Sequence, residues 1–196
     1  MGANGAAAGV AGAMRTPAVR DADLYGLSTP IHPDPGLPWW VIHTRPRQEK
    51  ALAETLRAAR LHVFLPIVRE QKVYGHRKRV VERPLFPSYL FLEGSREEAW
   101  FADGTRRVAT IIEPPSVLEL AIELESIRRA VSCGAVLDPY PYLTEGRRVR
   151  VRSGPFKGVE GVVDVRSRVD RLVLRVNALG RAVALELDAG VLEPVD

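Results

Sequence analysis

Apolar and polar positions along the chain fall into three textures. Residues 1–37 are Ala/Gly-rich and then Pro-rich (Pro17, Pro30, Pro33, Pro35), with no sustained period. Such a stretch offers too little apolar surface to offset its ordering entropy, and it reads as a flexible tail. At Trp39 the texture changes. WWVIHT (39–44) is an aromatic and β-branched run, the mark of a buried strand. Pro46 stands where a first helical turn accepts proline. Ala51, Leu52, Leu56 and Ala59 then recur at helical spacing, while Glu49, Lys50, Glu54 and Arg57 stay wet. VFLPIV (63–68) and the alternation around Val73 and Val80 predict a hairpin turning at Gly75. PLFPSYLFL (84–92) is a further apolar run, held extended at its start by proline. Residues 95–102 predict a short helix and VATII (108–112) a strand. Residues 116–131 predict an amphipathic helix capped by Ser116, with Glu119 three positions on.

Past a Gly/Pro/Tyr linker the period shortens again. RVRVR, GVEGVVDVRS, RLVLRVNALG, RAVALELD and VLEP are five short strands within 143–196, with apolar and charged residues alternating in RLVLRV and VALELD. Five strands in so short a span suit a small closed or nearly closed barrel, since closure removes exposed edges. The expected organisation is a tail (1–37), a first domain (38–131), a linker (132–142) and a second domain (143–196). The fold class is α+β, an antiparallel sheet flanked by helices followed by a small all-β barrel.

Composition narrows the function. The chain has 196 residues, 46% apolar and 27% charged, an ordinary globular balance, with a net charge of +4. No run of eighteen apolar residues is present, and the opening segment lacks the basic start and apolar centre of a secretory signal. The single Cys133 excludes an internal disulfide and a cysteine-only zinc site, so a reducing cytoplasmic setting is expected. The positive excess sits in 38–131, and within it 69–83 (REQKVYGHRKRVVER) carries six basic and two acidic residues. This stripe reads either as a phosphate-tracking surface or as a solvated hairpin tip. His32, His43, His62 and His76 have no ligand-like spacing, SGPFKG lacks a phosphate-loop ending, and no GxSxG occurs. Glu123 and Glu125, two apart on a helix, face different ways and make no acid–base pair. No enzyme, metal or cofactor is expected.

The strongest local signal is GRRVRVRSGPFKGVEG (146–161). Ser153-Gly154-Pro155 demands a tight loop, leaving Phe156 either an exposed anchor or a lid folded onto the core. This segment resembles the KOW motif, and 143–196 the SH3-like barrel that carries it. WWVIHTRPRQEK, VFLP and PLFPSYLF make 39–131 resemble the NGN domain of the NusG family. HTRPRQEK and PLFPSYLF look closer to the specialised antiterminator members, the RfaH, LoaP and UpxY-like proteins, than to the general factor.

The resemblance implies a non-catalytic transcription elongation factor that binds RNA polymerase and regulates pausing, antitermination and termination. By position, the polymerase-binding patch would include His43, Phe86, Pro87 and Tyr89, with Trp100 near the contact to the opposite jaw. His43 could equally be an ordinary strand residue, Phe86 and Tyr89 core residues, and Trp100 core. Phe86 is expected to point outward. The nucleic-acid face would hold Arg45, Arg47 and Arg106, with Arg77, Lys78 and Arg79 added from the charge stripe. Arg106 has the plainer alternative of capping a helix end. Gly154, Pro155, Phe156 and Lys157 would form the partner loop of the second domain, facing Rho or a small-subunit ribosomal protein. Arg147 stands where an acidic residue often follows the first KOW glycine, which alters that edge. The alternative is a KOW-containing ribosomal or RNA-binding protein, disfavoured because residues 132–196 carry a net charge of only +1.

Overall fold

The computed structural model describes residues 25–33, 36–74, 77–140, 146–164 and 171–195. The first unit is built on a four-stranded antiparallel sheet: β1 (Trp39–Thr44), β2 (His62–Phe64), β5 (Tyr89–Glu93) and β6 (Val108–Ile112), in the order β2-β5-β1-β6. Alternation sends its side chains two ways. Ile42, Val63, Leu90 and Leu92 pack with Leu52, Ala53 and Leu56 of α1 (Glu49–Ala58) and Ala99 and Ala102 of α2 (Arg96–Gly104). Trp39, Val41, Phe64 and Phe91 instead pack with Leu120, Ala121, Leu124 and Ile127 of α3 (Val117–Ser132). Ser95 opens α2 with a reciprocal capping box to Glu98, and the Ser116 hydroxyl accepts the Glu119 N–H at the start of α3.

The hairpin forms a separate two-stranded ribbon, β3 (Ile67–Tyr74) with β4 (Arg77–Pro84); its turn at 75–76, including His76, lies outside the described residues. The second unit is a six-stranded antiparallel sheet ordered β12-β8-β9-β10-β11-β7. Its members are β7 (Asp138–Tyr140), β8 (Gly146–Val151), β9 (Glu160–Asp164), β10 (Arg171–Val176), β11 (Arg181–Glu186) and β12 (Leu192–Pro194). Its inner face (Val149, Val151, Leu172, Leu174, Val183, Leu185) joins the same apolar cluster as α3. Helix α3 is therefore buried between two sheets.

Three expectations are corrected here. Among the described residues the second sheet forms no closed barrel: its strand order ends in two edges, β12 and β7, with β7 paired on the outer side of β11. That strand comes from the expected linker 132–142, whose Pro139 and Tyr140 sit in register with Val183 and Ala182. The flexible tail expected over 1–37 does not describe residues 25–33. Residues 25–33 form a strap: Tyr25 and Ile31 are buried, and the Leu65 N–H donates to the Tyr25 carbonyl (3.0 Å). Leu27's carbonyl accepts from Arg128 Nη1 (2.9 Å) and Ser132 Oγ (3.3 Å) of α3. Gly26 permits this path: its φ is +73°, and a Cβ there would lie 2.2 Å from the Val63 carbonyl oxygen. Residues 1–24 and 34–35 of the expected tail lie outside the described residues. Among the described residues no helix is long and apolar enough to cross a membrane.

Candidate functional site

The site grows from the end of β1. The Thr44 N–H donates to the Ser88 carbonyl and the Arg45 N–H to the Arg107 carbonyl, both at 2.8 Å. Glu49, buried in the first turn of α1, accepts the Ser88 N–H at 2.7 Å. Three loops, 45–48, 85–88 and 105–107, are thus tied at one corner of the first sheet. One residue in each carries left-handed backbone although none is glycine: Arg47 (φ 64°), Ser88 (φ 67°) and Arg106 (φ 62°). Each such residue costs of order 1–2 kcal/mol, so surrounding bonds must over-determine it. Glu49 and Thr44 do so for Ser88. Arg106 is held by its own N–H, which donates to the Asp103 carbonyl (3.1 Å) and ends α2. The helix-capping role weighed for Arg106 therefore belongs to its backbone, and its side chain is left exposed.

Register sets His43 opposite Tyr89 across β1 and β5, and their rings stack with centres 4.8 Å apart and planes 22° from parallel. Both are half-buried, and Pro87 beside them is exposed. Phe86 is not outward: it is 2% exposed and meets Phe91 edge-on at 6.3 Å. The physical reason is the turn at 85–88. The Tyr89 N–H reaches back to the Phe86 carbonyl (3.1 Å), which folds Leu85 and Phe86 into the core and leaves Pro87 and Tyr89 on the outer side.

Arg45, Arg47 and Arg106 are exposed around this stack, and Arg107 is half-buried among them. Arg77, Lys78 and Arg79 are exposed at the far end of the ribbon, away from the corner but joined to it through β4 and residues 85–88. Trp100 on α2 is 66% exposed, so its core alternative fails; Phe101 beside it is exposed as well.

The second unit reaches this corner. Arg181 of β11 lies over the Tyr89 ring, its guanidinium carbon 5.2 Å from the ring centre, a cation–π contact that no local sequence pattern announces. Elsewhere α3 carries the junction on two faces. Glu123 accepts the Asn177 N–H (3.1 Å), and Ser126 Oγ accepts the Glu160 N–H (3.3 Å). Burial pushes the Glu123 carboxyl up to about 7, against the Asn177 bond and helped by Glu119. Glu125, two residues on, faces the strap. Burial alone would raise it, but bonds from Arg128, Arg129 and the Ile31 N–H together hold it below the ordinary carboxylate range.

In the second unit's loop, Gly154 has φ 82°, and Gly154, Pro155 and Lys157 are exposed. Phe156 is half-buried and packs against the shared cluster, closer to the lid than to the exposed anchor. The Cys133 thiol at the end of α3 donates to the Pro155 carbonyl (2.8 Å). Arg147 is exposed on β8. Among the described residues no three of His, Cys, Asp and Glu gather to hold a metal ion.

This arrangement offers a ring stack beside exposed guanidinium groups, suited to an interface that is dry at its centre and charged at its rim. A family model described as transcription termination factor nusG matches residues 37–127, which contain the whole corner and the ribbon. Similar proteins bear the name transcription termination/antitermination protein NusG. The one from Deinococcus radiodurans is 31% identical over 182 residues, covering 76% of this chain and 95% of its own. The one from Borreliella burgdorferi is 24% identical over 186 residues (80% and 98%), and that from Lactococcus lactis 26% over 181 (80% and 92%). A corner of this build on a sheet matched by that model, with relatives aligned along nearly their full length, places the chain in the NusG family.

Proposed function

We propose that this chain is a transcription elongation and antitermination factor that grips RNA polymerase through the His43–Tyr89 stack and Pro87. In this reading Trp100 makes a second polymerase contact from α2, and Arg45, Arg47 and Arg106 hold nucleic acid in the elongation complex. Phe86 acts from beneath by packing the turn that presents Tyr89. The observation that carries the reading is the convergence of three strained loops on one corner, where aromatic and cationic groups meet. Left-handed backbone is kept at Arg47, Ser88 and Arg106 around the ring stack, and strain of this kind clusters at partner-facing sites.

The second unit is, in this proposal, an opened variant of the SH3-like KOW fold. The loop at Gly154, Pro155, Phe156 and Lys157 is its partner surface, with Rho or a small-subunit ribosomal protein as the partner class that the resemblance implies. The docking of this unit over Tyr89, and the HTRPRQEK and PLFPSYLF segments, favour a specialised antiterminator over a general factor. The work would be done in the cytoplasm, without catalysis or cofactor. Capture of core polymerase by the full chain, with pause lifetimes measured on a native template, tests the reading. Binding that survives Tyr89→Ala and Pro87→Ala together would remove the corner from the interface.

A further inference from the structure

Glu49 is an unusual occupant of its place. An acidic side chain in the first turn of a helix is favoured by the helix dipole at the surface, where it needs no fixed partner. Glu49 is instead only 7% exposed and counts with Leu52, Ala53 and Leu56 among the buried residues of α1. Burying an ionised carboxylate costs free energy that only well-aimed bonds recover. Its bond leaves the helix altogether: Oε1 accepts the N–H of Ser88, 39 positions along the chain, at 2.7 Å. Ser88 is held from its other side too, its carbonyl accepting the Thr44 N–H at 2.8 Å. Left-handed backbone at a serine (φ 67°) is thereby fixed from α1 and from β1 at once. The next residue is Tyr89, whose N–H turns back to the Phe86 carbonyl (3.1 Å) and whose ring stacks on His43. On the other side of Glu49, the Gln48 N–H donates to the Arg45 carbonyl (3.1 Å) and the Arg45 N–H to the Arg107 carbonyl (2.8 Å). One carboxylate therefore joins the loop carrying Arg45 and Arg47 to the turn carrying Pro87 and leading into Tyr89.

We propose that Glu49 is a positioning residue for polymerase binding: through Ser88 it holds Pro87 and Tyr89 at a fixed distance and angle from the arginines of the neighbouring loop. Buried as it is, it touches no partner. Its contribution is preorganisation, because loops already set in place lose less freedom on binding than loops ordered on contact. The bond needs an acceptor of the right reach rather than a negative charge. A glutamine carries a carbonyl oxygen at the same reach, whereas an aspartate is one methylene short. This deepens the proposed function and rests on its assignment of the corner as the polymerase grip.

The test uses the full chain, core RNA polymerase and the ring-proton NMR signals of His43. Glu49→Ala should weaken polymerase binding about tenfold, the scale of a lost interface anchor. It should also move the His43 signals toward those of free histidine as the Tyr89 stack loosens. His62, paired with Glu93 at the opposite edge of the sheet, is the internal control and should not move. Glu49→Asp should behave like Glu49→Ala. Glu49→Gln should restore both binding and signals, which a role in helix-end charge would not allow. Should Glu49→Ala melt too low for binding to be read, a Ser88→Gly background supplies the second arm. Glycine holds left-handed backbone unaided, so the alanine change should cost clearly less there. Lost binding with unmoved His43 signals, no rescue by Glu49→Gln, or equal losses in both backgrounds overturn the proposal. Pro87→Ala with Tyr89→Ala, measured in parallel, separates the two levels. If that pair weakens binding and Glu49→Ala does not, the positioning role fails alone. If neither does, the grip itself is misplaced, and the positioning role falls with it even where the His43 signals move.

Discussion

Phe86 and Tyr89 stand three positions apart, yet the turn between them sends one ring into the core and the other to the surface. Their substitutions should separate cleanly. Phe86→Ala should cost about 3–5 kcal/mol of folding stability, as for a large buried ring, read as a lower urea midpoint. Tyr89→Ala gives up only the His43 stack, the Arg181 contact and part of its packing, so it should cost clearly less stability than Phe86→Ala and weaken polymerase binding by about 1–3 kcal/mol, as for an interface anchor. Equal losses of stability in both variants would mean that Tyr89 is a core residue. Arg106 offers a test of retained strain. Arg106→Gly relieves its left-handed backbone and should raise stability by roughly 0.5–1 kcal/mol, while reducing nucleic-acid affinity. A stability gain without a binding loss would leave the arginine without a role at the corner. Of these residues, sequence reasoning named Phe86, Tyr89 and Arg106 together but set Phe86 outward, whereas it is buried. Period-two alternation describes strands, and Phe86 lies in a turn, where hydrogen bonding decides the side. Arg181 was invisible for another reason: it reaches Tyr89 from across the molecule.

Among the elements, α3 was legible from spacing and from its Ser116 cap, but not its double burial. An amphipathic pattern reports one apolar stripe, and here the second sheet claims much of what looked like the wet side. Glu123 marks that cost. Its carboxyl titrates near 7 in the docked arrangement and at 4.5 when free in solvent. Between those values the docked form holds more protons, so docking is strongest at or below the free value and weakens as pH rises through the docked one. The loss should be of order 1–2 kcal/mol, given the group's remaining contact with solvent. Denaturant midpoints of the full chain should fall from about pH 5 to about pH 8, and Glu123→Gln should flatten that slope. An unaltered slope in the variant would assign the pH effect elsewhere. Strand β7 escaped the sequence reading because Asp138-Pro139-Tyr140 has the composition of a linker. As an edge strand, it tolerates a proline that an interior strand would not.

For the molecule as a whole, the α+β class, the ribbon and the five strands of 143–196 were readable because each rests on local periodicity. The arrangement of the two sheets around one helix was not, since it depends on contacts far apart in the sequence. The strap belongs to this scale. It precedes the segment matched by the family model, yet it supplies Tyr25 and Ile31 to the core and bonds α3 at Glu125, Arg128 and Ser132. A fragment trimmed to begin at residue 37 should therefore unfold at a lower denaturant concentration than the full chain. Trimming would do more than shorten a terminus. Because α3 supports the strap on one flank and the second sheet on the other, loosening one fastening slackens the opposite one, and a recombinant product cut at the family boundary would be a rattling relative of the native molecule.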